Sequence, residues 1–366
     1  MFRISDLGFL LRSKSCMSQD IIKVLLVSAV SFALAVLWTP LLTKWLYQKK
    51  MWRKSVRTHA PDGAPTPIFA KLHGTREISV PRMGGLLVWM SVLAVTIGFW
   101  LLSQWLTHPF AAKLNFFSRN QTWLPLFTLV AASVLGLFDD LFQVSGKGGY
   151  IAGGIRLRHR IFLVALIGLV GGWWFFDRLG FSVLAVPLIG AVEIGWLMVP
   201  LFVFVMLATF SGGVVDGLDG LAGGVFATMF SAYGMIALVQ NQIDLAALCA
   251  AIVGSLLAFL WFNIPPARFY AGETGILGLT ATLTVVAFLT GAVLVLPIIG
   301  IVLVVESGSV IMQLLSKRLR GKKIFLSTPL HHHLEAIGWP APKVTMRLWV
   351  VSAVAAGVGV ALHLFS

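Results

Sequence analysis

Long apolar runs alternate with short polar segments along the whole chain. Each run is long enough to cross the roughly 30 Å hydrocarbon core of a bilayer as an α-helix. The pattern predicts an all-α, polytopic integral membrane protein with about ten transmembrane helices, although the turn-like Thr290–Gly291 between the eighth and ninth runs leaves the count open by one. The runs lie at about 21–47, 83–106, 121–141, 160–177, 194–213, 220–239, 244–263, 275–290, 292–316 and 346–365.

Two segments do not fit the helical pattern. Residues 179–193 are too short to span and are interrupted by Pro187, and their alternating apolar positions predict a small extracytoplasmic hairpin at the membrane surface. Residues 1–20 are mixed in charge and show no cleavable signal peptide, so we expect a surface-lying lead-in. Residues 21–366 are predicted to form a single transmembrane domain.

Composition supports the membrane assignment. The 366 residues are 58% hydrophobic and only 11% charged, which excludes an ordinary soluble protein. The net charge of +14 lies mainly in short segments between apolar runs, which favours contact with anionic lipid or an anionic substrate and argues against nucleic acid. The two cysteines, Cys16 and Cys249, are too far apart in sequence to suggest a metal-binding pair.

Basic residues are unevenly distributed between the two sides of the predicted bundle. One set of connecting segments contains 20 Lys and Arg residues, and the opposite set contains 7. The positive-inside rule therefore places the first set in the cytoplasm and both termini outside. The cytoplasmic set comprises 48–82, 139–160, 210–220, 263–275 and 317–347.

Acidic residues gather on the same predicted face. Most of them lie in these segments or at helix ends that face them, whereas Glu306 lies within an apolar run. Topology does not require acids, so this gathering indicates chemistry. Those that fall in candidate motifs are Asp139, Asp140, Asp216, Asp219, Glu273 and Glu335.

Two motifs supply paired carboxylates. Asp139 and Asp140 are adjacent and repel each other unless a cation such as Mg²⁺ neutralises them; the alternative is a solvated helix end. In VVDGLDGLAGG, Asp216 and Asp219 would share one face if the segment is helical. Glycine-mediated helix packing explains the glycines of this motif but not its two carboxylates.

Two further motifs supply ligands for phosphate. In FNIPPARFYAGETG, Asn263, Arg268 and Glu273 follow helix-breaking prolines, on a segment that lines a cavity or is an ordinary loop. In TPLHHHLE, neighbouring histidines on an extended chain point in alternate directions, so at most two of His331–His333 would converge. They offer hydrogen bonds or partial positive charge to phosphate.

Together the motifs predict a cytoplasm-facing pocket for phosphoryl transfer between a soluble nucleotide substrate and a lipid phosphate. An ion transporter is the main alternative of another class, but its acids should face each other in mid-helix across an inverted repeat, and no repeat is visible. A non-catalytic lipid-binding scaffold would not need these carboxylates.

The ordered motifs FDD, DGLDGLAGG, WFN.PPARFYAGETG and HHHLE resemble the polyprenyl-phosphate N-acetylhexosamine-1-phosphate transferases over about residues 24–365. The resemblance implies a multi-pass enzyme of the bacterial plasma membrane that uses Mg²⁺. The HHHLE segment resembles the branch that transfers phospho-MurNAc-pentapeptide from UDP-MurNAc-pentapeptide to undecaprenyl phosphate, giving lipid I and UMP. Transfer from UDP-GlcNAc or a related UDP-sugar is the alternative, and the oligomeric state stays open, a homodimer included.

The resemblance also implies residue roles. It makes Asp139 the group that deprotonates or positions the lipid phosphate, with Asp140 beside it, and Glu273 the Mg²⁺ ligand. Asp219, His331 and His332 complete the implied catalytic set. The expected substrate-binding residues are Asp216, Asn263, Arg268, His333, Arg82 and Arg160.

The chain departs from the family's pattern at several of these positions. Residues 210–215 read FSGGVV where asparagines are usual, Glu273 stands for Asp, and Ile276 stands for Ser. Arg82 in VPRMGG replaces the usual threonine and resembles the GlcNAc-1-phosphate branch. These departures bear on the uridine contacts and on the metal geometry.

Overall fold

The computed structural model describes residues 4–56, 65–106, 108–146 and 154–365, with side chains from Met17 onwards. Short 3₁₀ turns at Gly195–Leu197, Gly212–Val215 and Val293–Val295 and one π turn at Trp174–Arg178 adjoin the helices. The helices are α1 (Ile4–Gln48), α2 (Pro67–Glu77), α3 (Gly85–Trp105), α4 (Pro109–Leu114), α5 (Trp123–Ser145), α6 (Leu157–Trp173), α7 (Met198–Ser211), α8 (Leu221–Val239), α9 (Ile243–Asn263), α10 (Gly272–Leu289), α11 (Leu296–Ile299), α12 (Ile301–Arg320), α13 (Leu330–Ala336) and α14 (Ala341–Leu364).

The prediction of about ten spans is confirmed. Within the described residues, nine helices are long and apolar enough to cross a membrane. The ninth predicted span, 292–316, is not one straight helix: Val293–Ile299 and Ile301–Arg320 meet at an angle of 78°. The sequence contains Gly300 at the break, and glycine weakens a helix because it has the greatest backbone freedom to lose.

The predicted hairpin is also confirmed. Strands β1 (Val183–Val186) and β2 (Gly190–Glu193) pair antiparallel, with Val183 opposite Glu193 and Val186 opposite Gly190. The side of the membrane on which the hairpin lies remains a prediction. So do the surface position of residues 1–20 and the single domain over 21–366.

Helix α10 lies in the middle of the bundle, and glycines allow its neighbours to approach closely. A Cβ on Gly136 of α5 would lie 2.1 Å from the carbonyl oxygen of Glu273, and one on Gly278 of α10 would lie 2.0 Å from Ser133 Oγ. Small residues let membrane helices pack backbone to backbone in this way. The contact fixes the cytoplasm-predicted end of α5 against the start of α10.

The two helices extend further than the sequence pattern predicted. Helix α5 continues to Ser145, so Asp139 and Asp140 lie within its last two turns, and α10 begins at Gly272, so Glu273 lies in its first turn. The three acids are therefore held by packed helices and not by a loop.

Candidate active site

Two carboxylates cap the start of α10. The first N–H groups of a helix have no partner within the helix. The N–H of Thr274 donates to Asp140 Oδ2 at 2.9 Å, and the N–H of Gly272 donates to Asp216 Oδ2 at 3.0 Å. Gly272 has φ +69°, and a Cβ there would lie 2.5 Å from Asp140 Oδ2, so the capping geometry requires glycine.

Asp139 faces the opposite side of the same cluster. It is fully buried; its Oδ2 accepts a hydrogen bond of 2.9 Å from Gln143 Nε2, and its Oδ1 accepts one from the backbone N–H of Ile155. Gln143 in turn accepts from Arg53, which forms a 2.8 Å ion pair with Glu77. The orientation of Asp139 is therefore fixed by three separate segments.

Two largely buried arginines, with side chains 13% and 14% exposed, lie among the acids. Arg160 donates to Glu273 and is 3.5 Å from Asp139 Oδ2, and Arg82 Nε is 3.7 Å from Asp140 Oδ1. Burial would lower the pKa of Arg82, but the neighbouring Asp140 and Asp216 charges raise it, so this arginine stays charged. Burial raises the pKa of Asp216, and Arg82 opposes that shift.

The cluster fits a divalent metal ion. It contains the acids Asp139, Asp140, Asp216 and Glu273 and the arginines Arg82 and Arg160. The adjacent Arg53–Glu77 pair is neutral as a whole and adds no net charge. Ionised, the acids leave an excess of two negative charges in a buried site, and Asp140 Oδ1 has no hydrogen-bond partner. Carboxylate oxygens are the ligands that Mg²⁺ prefers. The residues present therefore fit Mg²⁺, with Glu273 and Asp140 as the acids best placed to hold it.

A cleft opens beside this cluster, between α2 and the segment that follows α7. Asp219 does not share a face with Asp216, because residues 216–220 form turns and not a helix. Its Oδ2 accepts from Ala267 N–H at 3.1 Å and from the half-exposed Arg76. The cleft is lined by Phe69, His73, Arg76, Glu77, Val80, Arg82, Asp216, Gly217 and Tyr270.

The three histidines point in three directions. The sequence-based premise of an extended chain is wrong here, because α13 is helical and successive side chains on a helix diverge. His331 Nδ1 is 2.8 Å from Glu306 Oε2, and both side chains are fully buried. His332 pairs with Glu335 at 2.9 Å, and His333 Nδ1 accepts from the N–H of Leu326.

His331 lies behind the DGLDG segment. A Cβ on Gly217 would lie 2.2 Å from His331 Nε2, and this nitrogen has no hydrogen-bond partner. Only glycine at position 217 leaves room for the imidazole. His331 thus supports the wall of the cleft, while its role towards substrate stays a prediction.

Two predicted substrate-binding residues lie apart from the acids. Asn263 Nδ2 donates to the carbonyl of Phe269 at 2.7 Å, and its Oδ1 accepts from Gly220 N–H at 3.0 Å, so both ends of its amide hold loops together. Arg268 is exposed, with its guanidinium 5.4 Å from the Phe262 ring centroid. Their roles with substrate also stay predictions.

Comparisons with known proteins agree with this arrangement. A model of glycosyl transferase family 4 matches residues 122–291, which include α5, α10 and their acids. Proteins named phospho-N-acetylmuramoyl-pentapeptide-transferase are similar over most of the chain. That of Geobacillus thermodenitrificans is 33% identical over 93% of this chain and 98% of its own, and that of Chloroflexus aurantiacus is 31% identical over 96% and 92%. That of Levilactobacillus brevis is 36% identical over 78% of this chain and 84% of its own. The chain belongs to this family.

The chain is therefore a membrane-embedded enzyme of a glycosyl-1-phosphate transferase family. Sequence reasoning missed several residues that shape the transferase's site. Arg76 and His73 lie on α2, and the sequence pattern used their segment only as a topology signal. Glu306 offered a clear signal as an acid within an apolar run, but nothing in the sequence paired it with His331.

Proposed function

We propose that the chain transfers phospho-MurNAc-pentapeptide from UDP-MurNAc-pentapeptide to undecaprenyl phosphate at the bacterial plasma membrane, giving lipid I and UMP. The observation that carries the proposal is the buried group of four acids and two arginines at the meeting of α5 and α10. The names of the relatives point to the same sugar donor.

In this reaction an oxygen of the lipid phosphate bonds to the β-phosphorus of the UDP-sugar, and the bond from that phosphorus to the bridging oxygen breaks. Asp139 is placed to position the acceptor phosphate or take its proton, because Gln143 and Ile155 already fix its carboxylate. Arg160, beside Asp139, offsets the repulsion between that carboxylate and a phosphate. Bound Mg²⁺ would supply charge that polarises the phosphorus and stabilises the leaving UMP.

The donor binds in the cleft. Arg76 and Arg82 line the cleft and provide positive charge for the diphosphate, and Tyr270 provides an aromatic wall. The acceptor's chain stays in the bilayer, which requires the phosphate to enter at the cytoplasmic end of α5. The lipid phosphate therefore reaches the acid cluster from the bilayer, and the nucleotide reaches it from the cleft.

The substrate pair is tested by transfer from UDP-MurNAc-pentapeptide and, separately, from UDP-GlcNAc onto undecaprenyl phosphate, with the lipid product identified by mass. We expect product only, or far faster, with the MurNAc donor. Preferential use of UDP-GlcNAc would replace the proposed donor and would assign Arg82 to recognition of the alternative sugar.

The metal role is tested at Glu273. We expect Glu273→Gln to abolish turnover, whereas Glu273→Asp keeps part of it and shifts the metal optimum, perceptibly towards Mn²⁺. Turnover is measured against Mg²⁺ concentration for both variants. An unchanged Mg²⁺ dependence in Glu273→Gln would assign the metal to another acid, with Asp140 as the nearest.

Orientation is tested by labelling single cysteines in whole cells, in a Cys16→Ser background. We propose that the 317–347 segment faces the cytoplasm and the hairpin faces outside, as the distribution of basic residues requires. An impermeant maleimide should react with Ser182→Cys and fail to react with Ser327→Cys. The reverse labelling would place the cleft on the wrong side for a cytoplasmic nucleotide.

A further inference from the structure

A second group of potential metal ligands includes His73, which lines the same cleft. His73 comes from α2, whereas His332 and Glu335 lie three residues apart on α13. His73 Nε2 and His332 Nδ1 are each 2.9 Å from Glu335 Oε2, and the three ligand atoms lie within 4.8 Å of one another. The side chains are only 14%, 6% and 7% exposed. Two distant segments thus bring three potential metal ligands to one point.

We propose that His73, His332 and Glu335 form a binding site for a transition-metal cation of the zinc type. Two imidazole nitrogens and one carboxylate are a donor set that favours zinc and its neighbours, whereas Mg²⁺ prefers oxygen ligands alone. This site is therefore chemically distinct from the acid cluster. It does not depend on the sugar donor assigned above.

The fit requires only a small adjustment. Zinc bonds of about 2.0–2.1 Å in tetrahedral geometry place the ligand atoms roughly 3.4 Å apart. The 2.9 Å contacts would thus lengthen by about half an ångström. Phe69 packs against both rings, with centroids 5.2 Å from His73 and 5.1 Å from His332, and holds them in place.

The site joins α2 to α13 beside the cleft. Three protein ligands leave one tetrahedral position for water or for an oxygen of a bound substrate. His73 lines the cleft together with Arg76, so a cation at this point holds α2 in its position over the nucleotide-binding region. The metal therefore crosslinks α2 and α13, two segments that are far apart in the chain.

The test uses the full chain in detergent micelles, with any affinity tag removed and metal stripped by a chelator. Zn²⁺ is titrated against a chromophoric competitor in the presence of excess Mg²⁺, which occupies oxygen-only sites, and Co²⁺ replaces Zn²⁺ for absorption spectra. We expect about one bound equivalent and the intense visible bands of four-coordinate cobalt. His73→Ala and Glu335→Gln should each weaken Zn²⁺ binding by at least the roughly 10–100-fold typical of losses around a metal site.

Two further variants keep the test decisive. His73→Cys should restore Zn²⁺ binding and alter the Co²⁺ spectrum, because a thiolate is also a zinc ligand. His333→Ala is the matched control, since this neighbouring histidine bonds to Leu326 N–H and lies outside the group. Absence of Zn²⁺ binding in the wild-type chain, or binding that His73→Ala and Glu335→Gln leave unchanged, would show that the three residues form a hydrogen-bonded unit only.

Discussion

Gly136 lies where the acid-bearing end of α5 contacts the start of α10, and adding one methyl group there tests how closely the site depends on that contact. In Gly136→Ala the new Cβ would lie 2.1 Å from the carbonyl oxygen of Glu273, 2.4 Å from its carbonyl carbon and 2.6 Å from Thr274 N. All three atoms belong to backbone, so no side chain can rotate away. The helices must separate by at least about 1.3 Å to reach ordinary contact distance.

The expected effects follow from that displacement. Overpacking of this kind destabilises by about 1–3 kcal/mol. A misplacement of about 1 Å costs on the order of 10²-fold in turnover, because Asp139 and Asp140 move relative to Glu273. Thermal unfolding is followed in detergent, in a Cys16→Ser background, by a maleimide dye that reacts with Cys249, which is fully buried in the folded protein. Turnover is measured on the same samples.

The matched control is Gly98→Ala on α3, where a Cβ has no heavy atom within 4 Å. Alanine is favoured over glycine in helices by about 1 kcal/mol, so this variant should keep wild-type turnover and unfold no earlier. If Gly136→Ala unfolds and turns over like the wild type, α5 and α10 do not meet as described. If it unfolds earlier yet keeps full turnover, the α5–α10 spacing does not control catalysis.

Two other substitutions probe contacts around the cleft. Glu306→Leu leaves the buried His331 without its partner, which costs about 1–3 kcal/mol of stability. Turnover should fall in Glu306→Leu and be intermediate in Glu306→Gln. Equal turnover in the two variants would show that the pair does not position His331. Arg76→Gln removes a positive charge from the cleft, together with its contact to Asp219. KM for the UDP-sugar should therefore rise about 10–100-fold, and Arg76→Lys should lie closer to wild type. An unchanged KM in Arg76→Gln would remove Arg76 from donor binding.

The spans and the hairpin could be predicted from sequence because a membrane helix and a short strand pair each impose a local pattern of apolar residues. The acids of the site could be predicted because a doubled carboxylate and Glu273 are conspicuous in a chain with only 14 acidic residues. The pattern nevertheless ended the one run at 141 and began the other at 275, because a charged residue lowers local hydropathy even where packing continues the helix to Ser145.

The remainder depends on contacts between distant segments. Arg76 with Asp219, and His73 with Glu335, join residues 143 and 262 positions apart. No local pattern records such pairs. The divergence of Asp216 from Asp219 likewise depends on turns at residues 216–220, which glycines permit but do not require. Tertiary structure decides which of the predicted residues meet.

The central claim is that the buried acids at the meeting of α5 and α10 form the reaction centre. The most direct measurement is transfer from UDP-MurNAc-pentapeptide to undecaprenyl phosphate by purified Asp139→Asn, alongside its affinity for the nucleotide donor. Asparagine keeps the shape of the side chain, so folding and donor binding should remain close to wild type while turnover falls by about 10²–10⁴. Wild-type turnover in Asp139→Asn would contradict the account.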